Sequence, residues 1–324
     1  MTLLRNYVIA IGGIGLLAGC APRVATSFWK IGTEADSIRP GYTVIHAEGK
    51  TRHCYPITEW TANEKTDTYH SLHHHGVAVE SKQMAYRLYF DKKQTVDVYC
   101  KRKPQLELAQ SYWYPNDSLL EAGCGDDILR VSGTVGVGSV KYWDGTKQVH
   151  IEPVAERTQR ILKSQKNQAT IEVAVKDWQI EGKTENMSVQ YTMYAGHRDL
   201  RCDVYTTHPI EGLCTGVQTI PAKGGCDTVT IILPNGVLLA SWGTDWPVND
   251  TVKYAKETVG LGVFIPKPYA GTPVHDKQNN LCLLKGDTAH FYLICCGATK
   301  ENHPVATNAT EWYEYLRRWA AKLH

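Results

Sequence analysis

Apolar and polar residues alternate with a period of two along much of the chain after residue 85. Side chains of a strand point alternately to its two faces, so this alternation predicts half-buried β-strands. Further apolar runs follow, separated by clusters of Gly, Pro, Asn and Asp, without helical patterns between them. Such a series is typical of an antiparallel all-β protein. The predicted strands lie at 86–90, 95–99, 128–131, 171–175, 187–194, 229–233, 237–242, 259–265, 281–284 and 290–296.

A clear helical pattern is confined to the end of the sequence. The apolar residues that recur there at the spacing of one helix face are Trp312, Leu316, Trp319 and Leu323. Thr310 is suited to the N-cap, and we expect the helix to pack on the sheet. No repeat of fixed period and no low-complexity linker divides the sequence. The simplest architecture is one large antiparallel β-sandwich domain over residues 46–324 with this helix at its C-terminus.

The first twenty residues have the regions of a secretory signal. Arg5 lies in a short polar start, an apolar run covers 7–17, and small residues precede Cys20 in the box Leu17-Ala18-Gly19-Cys20. The apolar run is too short to span a bilayer. The box resembles the lipobox of bacterial lipoproteins, whose cysteine is acylated. We therefore expect residues 1–19 to be removed, Cys20 to carry the lipid, and residues 20–45 to form a tether that leads into the domain.

The residues after Cys20 contain no acidic cluster of the kind that resembles a surface-export tag. We therefore expect an outer-membrane lipoprotein that faces the periplasm and touches the membrane through its lipid alone. A plain signal peptide with a chance cysteine is the alternative. The oligomeric state is left open.

The chain is nearly neutral, with a formal net charge of +2 at pH 7. This gives no support to nucleic-acid binding, which needs a basic surface. The sequence also lacks a phosphate-binding loop, a dinucleotide fingerprint, a Gly-x-Ser-x-Gly elbow and a His-Glu-x-x-His helix, which argues against nucleotide chemistry and serine hydrolysis. Tyr and Trp number 18 and 9. Aromatic rings with polar tips suit sugar-stacking surfaces as well as ordinary sheet packing.

Ten cysteines are present, so an odd number remains after Cys20. In an oxidising compartment at least one of these is free or pairs between chains. None of them has paired metal-ligand spacing. Cys295 and Cys296 are adjacent in an apolar run and point to opposite faces, so we expect them in the core. A disulfide between Cys100 and Cys124 is left open.

Several blocks of sequence resemble a known family. The most specific are 85–91, Ala-Tyr-Arg-Leu-Tyr-Phe-Asp, and 96–99, Val-Asp-Val-Tyr, followed by Lys101 and Pro104. The likeness continues at 125–131, 136–138, 196–199 and 260–263. These blocks resemble the domain of unknown function 4861 family over most of the mature chain. The resemblance implies an exported protein encoded among polysaccharide-utilisation genes, with strands similar to the β-supersandwich of galactose mutarotases and several polysaccharide lyases. It implies sugar chemistry and assigns no reaction.

His70, His73, His74 and His75 form the densest group of titratable side chains, just before Gly76. Imidazole titrates near neutral pH and serves as acid, base or metal ligand. In an extended segment His73 and His75 would share one face and His74 the other. An acid/base role, a zinc site completed from elsewhere and a solvated His-rich turn are the alternatives. We assign no cofactor, although a divalent cation is left open.

Two further groups combine charges near strand ends. Asp126 and Asp127 follow Gly125, and such paired carboxylates bind sugar hydroxyls, hold calcium, act as acid and base, or form an ordinary turn. Neighbours on a strand point apart, so we expect one of the two to face a site. The segment His197-Arg198-Asp199 offers a base, a cation whose planar fork suits a uronate, and an acid. A salt-bridged strand end is the alternative there.

The segment Trp242-Gly243-Thr244-Asp245-Trp246-Pro247 places two indoles and a carboxylate in a glycine-containing loop. We expect Trp242, Asp245 and Trp246 to form a sugar-stacking rim, because loops carry binding residues and exposed indoles need a reason. Tyr89 and Lys101, from the blocks that carry the resemblance, are added as substrate-binding candidates.

Together these residues favour a carbohydrate-active exported lipoprotein that acts on a uronate-containing glycan fragment. In a lyase, Arg87 or Arg198 would neutralise the uronate while His74 or a tyrosine takes the adjacent proton.

In a glycoside hydrolase, Asp126 or Asp127 would pair with a distant acid such as Glu257 or Glu301.

In a mutarotase, His73 or His197 would protonate the ring oxygen while a carboxylate removes the anomeric proton. The alternative from another class is a non-catalytic sugar-binding lipoprotein that uses the rim of Trp242 and Trp246. For any of the enzymes we expect the histidines, arginines and carboxylates to line one cleft bordered by this rim.

Overall fold

The computed structural model describes residues 23–32, 39–45, 51–111, 115–220 and 227–324. The predicted signal and its lipidation residue Cys20 lie outside these ranges. Strands dominate the described ranges and pair antiparallel, which confirms the all-β prediction. In these same ranges no helix is long and apolar enough to cross a membrane.

Short strands make up the first half of the described chain. In order they are β1 (Val24–Ser27), β2 (Trp29–Gly32), β3 (Tyr42–Ile45), β4 (Thr51–Pro56), β5 (Glu59–Ala62), β6 (Ala78–Ser81), β7 (Met84–Leu88), β8 (Val96–Cys100), β9 (Asp126–Asp127), β10 (Lys141–Trp143) and β11 (Gln148–Val149). A helix of five residues, α1 (Asp117–Glu121), precedes β9, and the side chain of Asn116 caps it by accepting a hydrogen bond from the Leu119 amide.

Longer strands make up the second half, and one helix follows them. The strands are β12 (Glu156–Gln165), β13 (Gln168–Ile180), β14 (Lys183–Tyr194), β15 (Leu200–Thr206), β16 (Leu213–Gln218), β17 (Asp227–Leu233), β18 (Gly236–Asp245), β19 (Glu257–Pro266), β20 (Ala270–His275), β21 (Asn279–Leu284) and β22 (Thr288–Gly297). The helix is α2 (Ala309–Ala320).

The strands form a two-layered sandwich. The large sheet has nine strands in the order β17-β18-β19-β22-β15-β14-β13-β12-β5. Two five-stranded sheets, β1-β6-β7-β8-β9 and β11-β10-β16-β21-β20, pack on one of its faces through contacts such as β6 with β13, β8 with β22 and β16 with β19. A three-stranded sheet, β2-β4-β3, completes the set. Apolar side chains from both layers form one continuous core, as the burial of alternate residues requires.

Helix α2 packs on the other face of the large sheet, as predicted. Trp312 and Leu316 are fully buried against β18 and β19. The strand opposite them carries Gly260 and Gly262, where an added Cβ would lie 2.7 Å from the Trp312 ring and 2.6 Å from Leu316 Cδ2. The helix therefore approaches the sheet more closely than any larger residue would allow. Its N-cap is Asn308, two residues before the predicted Thr310, since the Asn308 side chain accepts from the Glu311 amide.

The sheet that contains β7 and β8 is buried on both faces. Met84, Tyr86 and Leu88 of β7 point into the main core. Arg87 points to the opposite face and lies directly across from Asp97 in the register of the two strands. The segment 101–111 and the turn at 73–75 cover this second face, through contacts such as those that Leu108 makes there. The prediction of half-buried strands is therefore wrong for this sheet, whose second face is polar and enclosed.

Strands β1 and β2 lie within the segment predicted as a tether. Strand β1 pairs with β6 from Val24 opposite Ser81 to Ser27 opposite Ala78, and β2 pairs with β4. Hydrogen bonding to both partners integrates this part of the segment into the fold.

Cys100 and Cys124 are both buried free thiols and are not joined to each other. Cys295 belongs to the main core and Cys296 to the cluster beneath α2. The two neighbours thus point to opposite faces of β22, as their adjacency in an apolar run predicted.

Candidate functional site

The three consecutive histidines form a buried turn. His73, His74 and His75 make one 3-10 turn, in which His74 and His75 have left-handed φ angles of 57° and 58°. The extended arrangement considered from the sequence is wrong here, because a left-handed turn leaves no alternation of faces. The alternative of a solvated turn is wrong as well, because all three side chains are buried. Exposed His70 stays outside the turn, with its Nδ1 3.0 Å from Asp67.

Each imidazole of the turn donates a hydrogen bond to a backbone carbonyl. His74 Nε2 lies 2.8 Å from the Leu108 oxygen, His73 Nε2 donates to Ser111, and His75 Nδ1 lies 2.8 Å from the Tyr69 oxygen. Burial lowers the pKa of His73 and of His75 to about 3, and lowers that of His74 well below its usual value. All three are therefore neutral at physiological pH. His73 and His74 tie the turn to the segment that covers β7 and β8, and His75 ties it to Tyr69.

Arg87 lies at the centre of a buried charged network. Its Nε donates to Asp97 at 2.6 Å, its Nη2 to Asp127 at 2.7 Å and its Nη1 to the Tyr99 hydroxyl at 3.0 Å. The Tyr89 ring lies 5.5 Å from the guanidinium, and its hydroxyl reaches Asp97. The fork of Arg87 is thus engaged by side chains of the protein itself, and Tyr89 is enclosed in the same network.

Burial, and next the neighbouring Asp97 carboxylate, raise the pKa of Asp127 well above its usual value. One cation thus serves two carboxylates in a space without water access. Breaking such an arrangement by removing one partner is strongly destabilising.

Lys101 is enclosed as well. Its ammonium pairs with Glu80 and lies 3.7 Å from Glu107, and Glu80 also accepts hydrogen bonds from the amides of Glu107 and Leu108. The pair therefore fastens the covering segment to the sheet. Lys101 does not offer its ammonium to a substrate, which corrects its assignment as a binding residue.

Arg198 belongs to a different place in the fold. It makes a two-pronged ion pair with Glu301, at 3.1 and 2.9 Å, and donates to the Cys295 carbonyl. Tyr86, on the core side of β7, donates to the Arg198 carbonyl at 2.6 Å. Because Arg87 points to the other side of β7, the strand separates the two arginines. The expected common cleft therefore does not form, and the alternative of a salt-bridged strand end describes Arg198.

The neighbours of Arg198 are bound to each other. Asp199 accepts from His197 Nδ1 at 3.0 Å and from the Trp319 indole at 3.1 Å. The hydrogen bond to Asp199 raises the pKa of His197. His197 is thus a partly exposed, cation-favouring side chain beside helix α2.

The two tryptophans of the predicted rim differ. Trp242 is only 9% exposed and lies within β18 in the apolar cluster beneath α2, so its assignment as an exposed stacking residue is wrong. Trp246 follows the end of β18 and is half-buried, with Lys256 Nζ 4.0 Å from its ring centroid. Asp245 pairs with Arg130 at 2.7 Å. Trp246 and Asp245 remain as binding candidates.

Asp126 and Asp127 point to opposite sides of β9, as their adjacency predicted. In the register Asp127 lies across from Tyr99, on the side of Arg87, and Asp126 lies across from Cys100, on the core side. Burial raises the pKa of Asp126 to about 6, although the ammonium of Lys300 lowers it. Asp126 thus lies at an edge between the two layers, within electrostatic reach of Lys300.

Glu257 completes this group. It starts β19 and lies across from Asp245 of β18, and its carboxylate lies 2.9 Å from Lys300 Nζ and accepts from the Thr299 hydroxyl. Its charge acts on Asp126, and the charge of Asp126 acts in turn on the Tyr254 hydroxyl, whose pKa burial raises first. We call Asp126, Tyr254, Glu257, Thr299 and Lys300 the Asp126 cluster. It combines two carboxyl groups, the hydroxyl groups of Tyr254 and Thr299, and the Lys300 ammonium at one end of the large sheet.

The chain matches the family model "Domain of unknown function (DUF4861)" over residues 38–324. The chain belongs to this family. The family resemblance found in the sequence is thereby confirmed. No functionally curated protein matches the chain.

This DUF4861 protein brings together only part of the predicted site. His73–His75, Arg87 and Asp127 form one buried network, Arg198 with Glu301 another, and Asp126 with Glu257 a third. Sequence reasoning missed Tyr254 and Lys300, because nothing in their local pattern distinguishes them from surface residues. In the described ranges no three His, Cys, Asp or Glu side chains are placed to hold a metal ion.

Proposed function

We propose that this protein is an exported, lipid-anchored glycoside hydrolase that cleaves a uronate-containing glycan fragment at the Asp126 cluster. The observation that carries the proposal is a pair of carboxyl groups in unlike surroundings. Burial raises the pKa of Asp126 to about 6, whereas Glu257 is held against the Lys300 ammonium. Glycoside hydrolysis needs one carboxyl that is protonated and one that is charged.

In the proposed reaction Asp126 is the general acid. A carboxyl with a pKa near 6 keeps a useful protonated fraction near neutral pH and still releases its proton readily. It donates that proton to the glycosidic oxygen as the bond to the leaving sugar breaks. Asp126 is buried between the layers near Tyr254, and this burial limits its hydration.

Glu257 is the second carboxylate in this reaction. The Lys300 ammonium at 2.9 Å and the Thr299 hydroxyl fix its position. A carboxylate placed in this way stabilises positive charge at the anomeric carbon and takes the proton from the water that attacks that carbon.

Residues around the cluster suit an acidic sugar. Trp246 offers a half-buried indole face next to Lys256, and Lys253 and Lys256 place two exposed cations on the loop between β18 and β19. Indole faces stack on sugar rings, and ammonium groups attract a uronate carboxylate. Asp245, paired with Arg130 at the end of β18, borders the same loop.

A lyase would need an arginine that receives the uronate and a base that takes the adjacent proton. Arg87 is fully buried and engaged with Asp97 and Asp127, and Arg198 is engaged with Glu301. The pKa of His74 is lowered well below its usual value and its Nε2 donates to the Leu108 carbonyl, so it is a weak base. These contacts favour hydrolysis over elimination. The burial of Trp242 likewise weighs against a binding protein that relies on two indoles.

Export and anchoring rest on the sequence. The signal-like residues 1–19 and the box that ends at Cys20 support secretion and acylation. A lipid-anchored hydrolase on the periplasmic face of the outer membrane would act on fragments that have already entered the periplasm.

The test is incubation of the purified protein with a panel of acidic and neutral polysaccharides and oligosaccharides. Reducing ends and the ultraviolet absorbance of unsaturated uronates are followed together. We expect new reducing ends without new absorbance. Asp126→Asn and Glu257→Gln should each lower kcat by roughly a hundredfold or more, whereas Glu314→Gln on the exposed side of α2 should leave it unchanged.

New ultraviolet absorbance would replace hydrolysis with elimination. Binding without turnover on every substrate would show a binding module instead. Full activity in both the Asp126 and Glu257 variants would remove the Asp126 cluster as the catalytic site even if hydrolysis occurs.

A further inference from the structure

A concave site lies away from the Asp126 cluster. It is a cleft of about 470 Å³ between the segment 62–69, which follows β5, and the residues 90–92, which follow β7. Glu152, Val154 and Arg157 line it from a third segment. None of these residues belongs to the Asp126 cluster. The volume lies within the range of about 300–1,000 Å³ that is usual for small-molecule sites.

The guanidinium of Arg157 gives this cleft an N–H donor that lacks an acceptor among the described residues. Its side chain is only 6% exposed, and its Nη2 donates to the Ile151 carbonyl at 2.9 Å. Its Nη1 is buried and has no hydrogen-bond partner among the described residues. Burial lowers the pKa of Arg157 to about 10, and nearby carboxylates offset only part of that effect. A buried N–H without an acceptor costs free energy, so a ligand atom that accepts from Nη1 is favoured.

The other charged groups of the cleft are mostly carboxylates. Glu64, Asp67, Asp91 and Glu152 line it, and Lys92 pairs with Glu152 at 3.2 Å. These carboxylates repel an anionic ligand. They already hold donors such as the Val154 amide on Glu64 and His70 on Asp67, and their remaining lone pairs accept further hydrogen bonds from a ligand. An ammonium ligand would supply donors but could not accept from Arg157. A hydroxyl group both accepts and donates, so a ligand rich in hydroxyls satisfies both requirements.

Tyr69 gives the cleft an aromatic wall. Its side chain is 43% exposed, and its ring is stacked on His75 with a centroid distance of 3.8 Å and an interplanar angle of 15°. His75 is stacked in turn on Tyr89. A ring held from behind in this way presents a fixed apolar face, which suits the C–H face of a pyranose.

We infer that this cleft binds a neutral saccharide unit, with Arg157 and the carboxylates on its hydroxyls and Tyr69 against its ring. It is a second saccharide site and performs no chemistry. The inference does not depend on catalysis by the Asp126 cluster. A glycan that carries both neutral and uronate units could occupy both sites.

Binding is measured by titration calorimetry on the full-length Glu257→Gln variant, so that no sugar is consumed. The probes are neutral trisaccharides of glucose, galactose, mannose, xylose, arabinose, rhamnose and fucose, with trigalacturonate and triglucosamine as charged counterparts. At least one neutral trisaccharide should bind. Tyr69→Ala should weaken that binding about five- to tenfold, and Arg157→Gln about tenfold or more.

Two matched variants serve as controls. Tyr205 is a 42% exposed tyrosine on β15 outside the cleft. Arg160 lies on β12, the same strand as Arg157, and pairs with Glu59 and Glu172 outside the cleft. Tyr205→Ala and Arg160→Gln should bind as the parent does. Because Arg157→Gln removes a buried hydrogen bond and could impair folding, Tyr69→Ala carries the test by itself if that variant does not fold.

Three results would overturn the inference: no neutral trisaccharide binds at millimolar concentration, a charged trisaccharide binds more tightly with the same residue dependence, or Tyr69→Ala binds as the parent does. Since Glu257→Gln is used throughout, failure of hydrolysis leaves this binding unaffected, and failure of binding leaves the hydrolase proposal standing.

Discussion

Replacing Asp126 by Asn should stabilise the protein at high pH and not at low pH. The side chain is 3% exposed, and one of its oxygens accepts from the Asp127 amide at 2.8 Å. Asparagine keeps an oxygen for that hydrogen bond and removes the ionisable proton. The variant therefore isolates the free energy of placing a charge at this position.

The magnitude follows from the pKa of Asp126, which burial raises from 3.8 to about 6. A shift of roughly two units corresponds to about 3 kcal/mol. A carboxyl with a raised pKa in the folded state holds its proton more tightly there than in the unfolded chain. That contribution to stability is fully present below pH 3.8 and is lost as the pH rises through about 6.

Urea unfolding at about pH 3.5 and about pH 8 measures the effect. The change in free energy of unfolding caused by Asp126→Asn should be about 3 kcal/mol more favourable at the higher pH. Subtracting the parent's free energy of unfolding from the variant's at each pH cancels the contributions of the other titrating groups. Comparing this change at the two pH values then isolates the charge of Asp126. Asp287→Asn, at an exposed position, should show no such dependence on pH.

An Asp126→Asn effect that is equal at both pH values, or less favourable at the higher one, would refute the reasoning. It would mean that Lys300 or solvent already compensates the charge of Asp126. Under the proposed function the same variant loses its general acid, so gain of stability and loss of turnover should occur together.

Three further predictions address the fold and the anchor. Arg87→Met leaves Asp97 and Asp127 buried without their cation and should lower the free energy of unfolding by about 3–5 kcal/mol, whereas the control Arg318→Met, at an exposed ion pair with Glu314, should cost about 1 kcal/mol or less; equal losses in urea melts would contradict this. Trp312→Ala empties the centre of the helix–sheet cluster and should cost about 3–5 kcal/mol in the same assay. Cys20→Ala should abolish labelling with a radioactive fatty acid, and a labelled variant would show the lipobox hypothesis to be wrong.

Local alternation predicted the features that depend only on neighbouring residues. It located nine of the ten predicted strands, set Cys295 and Cys296 on opposite faces, and made Asp126 and Asp127 point apart. The strand predicted at 128–131 is wrong, because β9 ends at Asp127. It could not say which of the two aspartates meets Glu257, because that depends on how β9 of one layer meets β19 of the other. No short segment of the sequence predicts such a contact between distant strands.

Two predictions failed for local reasons that the pattern does not reveal. Gly243 suggested a loop after Trp242, but β18 continues to Asp245 and keeps Trp242 under α2. Consecutive histidines suggested a solvated turn, but left-handed backbone angles at His74 and His75 fold them inward beneath the segment 101–111. In both segments the local composition indicated exposure to solvent, whereas the side chains are buried.

The two unlike faces of the β7–β8 hairpin have a consequence for folding. Its pairing places Arg87 opposite Asp97, with Tyr86 and Val98 on the other side. A slip of one residue during assembly would push a guanidinium into the apolar core and strand a carboxylate without its cation, at a cost of several kcal/mol. The charged face thus makes one alignment of the two strands more stable than an alignment shifted by one residue.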